Sequence, residues 1–185
     1  ELIITLGKRG SGSASAHFEP DMFLINLTKT RGAGSLAHEW FHALDNYFRK
    51  QRGDVSQNRA GRYITYKPEP HMVHRESGAR MARRQVKQRA KENPESEYYS
   101  LDNWMLDPEE AGDTRPEIQG LFANLVEVLD KSPMTERSKK LTKGESDGYW
   151  SRIIERAARA FEVYVIDALN KQGYRNDFLA NVVDV

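Results

Sequence analysis

This sequence has no cysteine, no long apolar segment and no excess of charge of either sign. None of the 185 residues is cysteine, so disulfides and thiolate ligands are excluded, and a metal site would have to use histidine, aspartate or glutamate. No apolar run approaches the roughly 20 residues that cross a bilayer. A net charge of +1 argues against a uniformly basic chain that coats nucleic acid. We expect a globular, cytoplasmic protein without membrane contact.

The chain begins without methionine, inside an apolar run at Leu2–Leu6 that predicts a strand. We therefore expect it to be part of a larger parent polypeptide. Its length suits a single domain over residues 1–185. A polar, proline-punctuated insertion at about 51–115 should carry one or two helices.

Apolar patterns and end signals predict an α+β fold with a small twisted sheet. A strand is expected at Phe18–Leu27, and a helix over Ser35–Lys50 follows a glycine-punctuated turn. Pro116 should open another helix, since proline is favoured in the first helical turn. A last helix is expected over Tyr149–Lys171, ending at Gly173.

The first predicted helix carries the sequence H-E-x-x-H, with His38, Glu39 and His42 at its fixed positions. Residues four apart lie on one helix face, so both imidazoles can reach one metal ion. Glu39 follows the first histidine and can take a proton from a water activated by the metal. Imidazole and carboxylate ligands without thiolate are typical of catalytic zinc. The sequence therefore predicts Zn²⁺ on His38 and His42, with Glu39 as general base.

A catalytic zinc of this type needs a third protein ligand. No further histidine follows at close spacing, and the late helix offers Glu155 and Glu162. These two residues are seven apart, so they share a face but are separated by about 10.5 Å along the axis and cannot bind the same ion. Asp45, three residues after His42, could accept the free N–H of a liganding histidine and fix its orientation.

One stretch of the predicted last helix resembles a known ligand pattern. Glu155-Arg156-Ala157-Ala158 is similar to the E-x-x-A pattern with which gluzincin peptidases present a glutamate to zinc, which favours Glu155 over Glu162 as third ligand. Gluzincins often place an aspartate four residues later, and here that position is Arg159. This departure leaves Asp45 as the expected partner of a liganding histidine.

More broadly, the chain resembles the zincin-like metallopeptidase domains of large polyvalent proteins, which phages and conjugative elements encode. The resemblance implies a protein substrate and a bacterial host cytoplasm, and it leaves the substrate open. It is carried by two blocks covering about half of the chain: 16–28 with 32–45, and 148–150 with 158–162 and 176–179.

Several other residues have two possible roles. The strand Phe18–Leu27 could bind a substrate backbone along its edge. His17 could face the cleft, although a hydrogen-bonded structural histidine is the commoner case, and Tyr149 could donate to an oxyanion or simply pack. His71 and His74 form H-x-x-H, a weak candidate for a second metal.

The leading hypothesis is a zinc peptidase acting on protein or peptide substrates. One alternative is a non-catalytic or regulatory DNA- or protein-binding module on a metallopeptidase fold, with nucleic-acid contact through the basic stretch Arg75–Lys91. Another is a metal-dependent enzyme acting on a different electrophile, because H-E-x-x-H activates water without dictating what the water attacks.

Overall fold

Five α-helices and two three-stranded sheets make up the described part of the chain, so the predicted α+β class is confirmed. The computed structural model describes residues 1–7, 15–29, 31–52, 62–66, 71–107, 115–143 and 148–181. The strands are β1 (Ile3–Leu6), β2 (Ala16–Glu19), β3 (Leu24–Leu27), β4 (His71–His74), β5 (Arg80–Ala82) and β6 (Trp104–Leu106). The helices are α1 (Leu36–Arg52), α2 (Arg83–Glu92), α3 (Pro116–Lys131), α4 (Pro133–Thr142) and α5 (Ile153–Lys171).

The first sheet has the order β1-β3-β2, with β1 parallel and β2 antiparallel to the central β3. All four residues of β3 are buried. The single strand predicted at Phe18–Leu27 was wrong. The chain reverses between β2 and β3, in a turn that contains Pro20 and in which Phe23 has a φ of 50°. The sheet therefore has two edge strands, β1 and β2.

Helix α1 packs on β2 and β3 and, on another side, against α5. Ala157 and Ala158 of α5 are fully buried with Phe41 of α1 in one hydrophobic cluster. Such small side chains let two helices approach closely. The helix predicted over Ser35–Lys50 is confirmed within the usual end uncertainty of one or two residues. The last helix, predicted over Tyr149–Lys171, ends at Lys171 but begins only at Ile153, after a 3₁₀ turn at Tyr149–Ser151.

The segment after α5 returns to the start of α1. The backbone N–H groups of Gly34 and Ala37 donate to the carbonyls of Phe178 and Leu179, which satisfies donors that a helix start leaves unpaired. Gly34 has a φ of 85°, and a Cβ there would lie 2.6 Å from the Cβ of Asn181. Glycine is thus required where the C-terminal segment seats against α1.

The insertion contains a sheet that the sequence did not reveal. Its strand order is β5-β4-β6, all antiparallel, and α2 packs on β4 and β5. Met72, Val86 and Trp104 form its core. The expectation of one or two helices was met by α2, but the three short strands around it were missed. No helix in the described ranges combines the length and apolarity needed to cross a bilayer.

Candidate metal centre

The two histidines of the motif face each other on α1. His38 and His42 lie one turn apart, and their Nε2 atoms are 3.2 Å from each other. Their rings meet edge to face at a centroid distance of 4.8 Å. Both side chains are largely buried. The i,i+4 spacing therefore produces the convergence that the sequence predicted.

Helix α5 brings Glu155 to the same point. Its Oε2 lies 3.3 Å from Nε2 of His38, and its Oε1 lies 3.8 Å from Nε2 of His42. Glu155 is only 5% exposed, and the close α1–α5 packing holds it there. His38, His42 and Glu155 are the one group in the described ranges whose donor atoms converge as metal ligands would.

The spacing of these donors fits a zinc ion. Tetrahedral zinc with bonds of about 2.0–2.1 Å separates its ligand atoms by about 3.4 Å. The two Nε2 atoms are 3.2 Å apart, and the Oε2 and Oε1 atoms of Glu155 lie 3.3 Å from His38 and 3.8 Å from His42, respectively, which is close to that value. Two neutral imidazoles and one carboxylate leave a fourth position open, as catalytic rather than structural zinc sites do. The residues present therefore suit zinc.

The electrostatics of the site favour a cation among these groups. Burial opposes protonation of His38, but hydrogen bonds with Glu155 and Glu162 and the charge of Glu39 raise its pKa to about 9. Burial, reinforced by the charge of His38, lowers the pKa of His42 to about 4. Burial would raise the pKa of Glu155, yet the hydrogen bond with His38 and the charge of His42 keep it below its usual value. The carboxylates thus hold one positive charge between the imidazoles.

Glu39 lies beside this group and also touches the sheet. Its side chain is buried, and burial raises its pKa to about 7 despite the opposing charge of His38. The charge of His17 acts to lower this pKa, as does a hydrogen bond that the carboxylate accepts from the backbone N–H of Phe18 on β2. The carboxylate of Glu39 therefore lies between the candidate ligands and the edge strand β2.

Glu162, the alternative third ligand, sits on the other side of His38. Its Oε2 is 3.7 Å from Nδ1 of His38, the ring nitrogen that points away from His42. The two glutamates of α5 thus contact different nitrogens of the same imidazole. Glu155 therefore lies where the two histidines converge, and Glu162 lies at the opposite nitrogen of His38.

Asp45 does not take the orienting role expected for it. Its fully buried carboxylate accepts hydrogen bonds from the backbone N–H of Thr65 at 3.0 Å and from the Thr65 hydroxyl at 2.7 Å. Nδ1 of His42 is buried without a hydrogen-bond partner among the described residues. Asp45 therefore anchors the segment 62–66 to α1, because a buried carboxylate needs such donors.

Two tyrosines complete the surroundings of Glu155. Tyr149 forms a hydrogen bond with Glu155, and burial together with that carboxylate raises the Tyr149 pKa. Tyr66, which the sequence did not suggest, is half-buried, and burial and then the charge of Glu155 raise its pKa. The hydrogen bonds between Asp45 and Thr65 hold the segment that carries Tyr66 near the site. Because this contact joins residues far apart in the sequence, no local pattern could have indicated Tyr66.

Arg159, at the position where gluzincins often carry aspartate, does not pair with Glu155. Its guanidinium lies over the ring of Trp150, with 4.1 Å between the guanidinium carbon and the ring centroid. The same carbon is 5.8 Å from the ring centroid of Tyr149. Its charge also contributes to lowering the pKa of His42, so Arg159 belongs to the site.

The remaining histidines are outside the metal group. His17 contacts Glu19 at 3.1 Å and is partly exposed on β2. His71 and His74 are three apart on a strand, so they point to opposite faces and cannot share an ion. His74 stacks on Tyr98 inside the insertion. The proposal of a second metal at H-x-x-H therefore has no geometric support.

Comparison with known families gives a match in the C-terminal part of the chain. Residues 141–184 match the family described as large polyvalent protein-associated domain 1. The matched segment contains Glu155 and the C-terminal residues that seat against Gly34, but it does not include α1 and its H-E-x-x-H sequence. It associates this part of the chain with polyvalent proteins. No curated protein and no solved structure matches the chain.

Proposed function

We infer that this chain is a zinc-dependent peptidase domain of the zincin type, working as part of a larger polyvalent protein. One observation carries the proposal: the imidazoles of His38 and His42 and the carboxylate of Glu155 converge at ligand spacing, with Glu39 beside them. Burying imidazoles and carboxylates together without a bound cation costs free energy, so a chance cluster of these side chains is not expected.

Each residue then has a defined task. His38, His42 and Glu155 would hold zinc, which, when bound, acts as a Lewis acid and brings the pKa of a bound water near neutrality. Glu39 takes the proton of the attacking water and passes it to the leaving amine. Tyr149, hydrogen-bonded to Glu155, would donate its hydroxyl to the oxyanion of the attacked carbonyl.

The substrate backbone would lie along β2. This strand is an edge of its sheet, and its Phe18 N–H already reaches Glu39. A peptide that pairs with such an edge is held in extended form by main-chain hydrogen bonds, with little demand on its sequence. The scissile bond would then pass beside the general base.

The decisive test is Glu39→Gln in zinc-loaded protein. The amide keeps the size of the side chain but cannot accept the proton, so we expect full zinc content and at least a hundredfold loss of casein hydrolysis, on the order of general-base contributions. Glu127→Gln, which changes an exposed glutamate on α3 away from the site, is the control and should retain activity. Undiminished hydrolysis in Glu39→Gln would refute the assigned mechanism. Hydrolysis of a non-peptide substrate alone would favour the broader metal-dependent hydrolase.

A second candidate function rests on α2. This helix exposes five basic side chains against one acidic one, Glu92, and the basic residues are Arg83, Arg84, Lys87, Arg89 and Lys91. Cations on one short helix can neutralise phosphates. A DNA- or protein-binding role without turnover would persist in protein treated with a chelator. DNA retention that survives chelation, in a protein lacking peptidase activity, would favour this function over the first.

A further inference from the structure

Arg159 places a positive charge beside the candidate metal centre. It lies one helical turn after Glu155 on α5, and its charge reaches both His42 and Tyr149. The helix spacing would allow an ion pair with Glu155, but that carboxylate is turned to the two histidines and Tyr149. No acidic side chain in the described ranges pairs with Arg159, and its Nε is buried without a hydrogen-bond partner.

The aromatic neighbours place this guanidinium over the ring of Trp150. It lies 4.1 Å over Trp150, a distance typical of stacking, which leaves the N–H groups along its edge to form hydrogen bonds. A second guanidinium, that of Arg152, lies 5.8 Å from the Tyr149 ring. Tyr149 thus lies beside the candidate ligand Glu155, with the guanidinium carbons of Arg152 and Arg159 each 5.8 Å from its ring centroid. The combination is a pre-oriented cationic group next to the metal centre.

A planar guanidinium held by stacking is suited to one ligand chemistry in particular. Its fork of N–H donors matches the two oxygens of a carboxylate, and such charge-assisted pairs are the stronger hydrogen bonds in proteins. We propose that Arg159 forms a carboxylate-binding subsite, so that the enzyme selects peptides bearing a carboxylate close to the scissile bond. That carboxylate is either the C-terminus of the substrate or an acidic side chain. The inference rests on the proposed function, since the subsite is defined relative to the metal.

The subsite can be tested by binding rather than turnover. Hydroxamates bind zinc directly, so zinc-loaded protein is titrated with the monohydroxamates of succinic, glutaric and adipic acid, each compared with the neutral acyl hydroxamate of equal chain length. We expect one of the acids to bind about ten to a hundred times more tightly than its neutral partner, as a charge-assisted hydrogen bond would provide. Arg159→Gln should remove this preference and retain zinc and the affinity for the neutral compound.

Two variants separate the subsite from simpler effects. Lys171→Gln removes one exposed cation from the same helix and should keep the preference, which controls for net charge. Arg159→Lys keeps the charge without the planar fork and should keep only part of the preference. An equal effect of Arg159→Gln on acid and neutral hydroxamates would mean that Arg159 only packs on Trp150, and this would overturn the proposal.

The source of the carboxylate is resolved by two further pairs of ligands. A hydroxamate-capped glycylglycine is compared with its C-terminal amide, and a hydroxamate-capped aspartate amide with the asparagine analogue. Preference for the free C-terminus assigns a carboxypeptidase-like specificity, preference for aspartate an acidic side chain, and either supports the subsite. Equal affinity in all pairs overturns it while leaving the metal centre intact. If wild-type protein binds neither zinc nor a neutral hydroxamate, the proposed function fails and the subsite with it.

Discussion

The contact between α1 and α5 and the sheet of the insertion are stabilised in different ways. At the first, His38, Glu39, His42 and Glu155 are all buried together. At the second, β4, β5, β6 and α2 enclose an apolar core that is built around Trp104. Both are small buried clusters, but only the first is built mainly from ionisable groups. The insertion also buries His74 and Asp107, but its core residues are apolar.

This difference indicates which of the two regions depends on a bound ligand for its stability. Burying ionisable groups costs free energy unless hydrogen bonds, opposite charges or a metal compensate. An apolar core carries no such cost, and its contribution follows from the area removed from water. We therefore expect the α1–α5 contact to respond strongly to zinc, and the insertion to be indifferent to it.

The largest effect is expected from Glu155→Ala. Removing this carboxylate leaves two imidazoles, which should reduce zinc affinity by about a thousandfold, more than the 10- to 100-fold typical of changes around the ligands. Zinc at about 100 times its Kd should stabilise wild-type protein by about 2.7 kcal/mol and leave the variant unchanged. Calorimetric titration and thermal unfolding with and without zinc measure both. Equal zinc affinity in the two proteins would show that Glu155 is not a ligand.

Trp104→Ala should produce the converse result. Trp104 is 3% exposed, so its truncation should destabilise the protein by about 3 kcal/mol, the lower part of the range for buried aromatic residues because the insertion core is small. Zinc affinity should stay within about twofold, since the residue is outside the metal centre. Hydrogen exchange over residues 71–107 and a zinc titration test this. A parallel loss of zinc binding would show that the two regions are energetically one unit.

The same contrast governs what the sequence could predict. The pair His38 and His42 depends only on the rise and turn of one helix, so spacing alone located it. Glu155 needed two helices to pack, and its similarity to the gluzincin pattern supplied what helical periodicity could not. Thr65 and Tyr66 reach the site through a tertiary contact with Asp45, and no local pattern encodes that.

The insertion was harder because its strands are three or four residues long. An alternation of period two is hardly measurable over such lengths. In addition, β6 pairs with β4 only after α2 and two short 3₁₀ turns have intervened, so no hairpin signal marks the pairing. Helix α2 could be expected, whereas the sheet around it depends on non-local contacts.

A smaller effect is expected from Glu162→Gln. At 3.7 Å from Nδ1 of His38, the carboxylate orients the ring and makes it a better ligand, so its neutralisation should weaken zinc binding by about tenfold, or about 1.4 kcal/mol. Asp167→Asn, an exposed acidic residue on the same helix, should have no effect. Zinc titrations of both variants are compared with Glu155→Ala. A loss as large as that of Glu155→Ala would make Glu162 the ligand, and wild-type affinity would end its orienting role.

The smallest effect on the metal centre is expected from the double variant Lys87→Gln/Arg89→Gln. Both side chains are exposed on α2, so the free energy of unfolding should change by less than about 0.5 kcal/mol and zinc affinity should not change. DNA binding responds differently if α2 contacts phosphates, because each lost contact reduces the slope of log affinity against log salt by about 0.9. A slope reduced by nearly two in metal-free protein would make the insertion a nucleic-acid surface independent of the metal. An unchanged slope would mean that α2 is only a solvated helix face. The α1–α5 contact would then be the chemical site of the two regions, and the insertion a structural element.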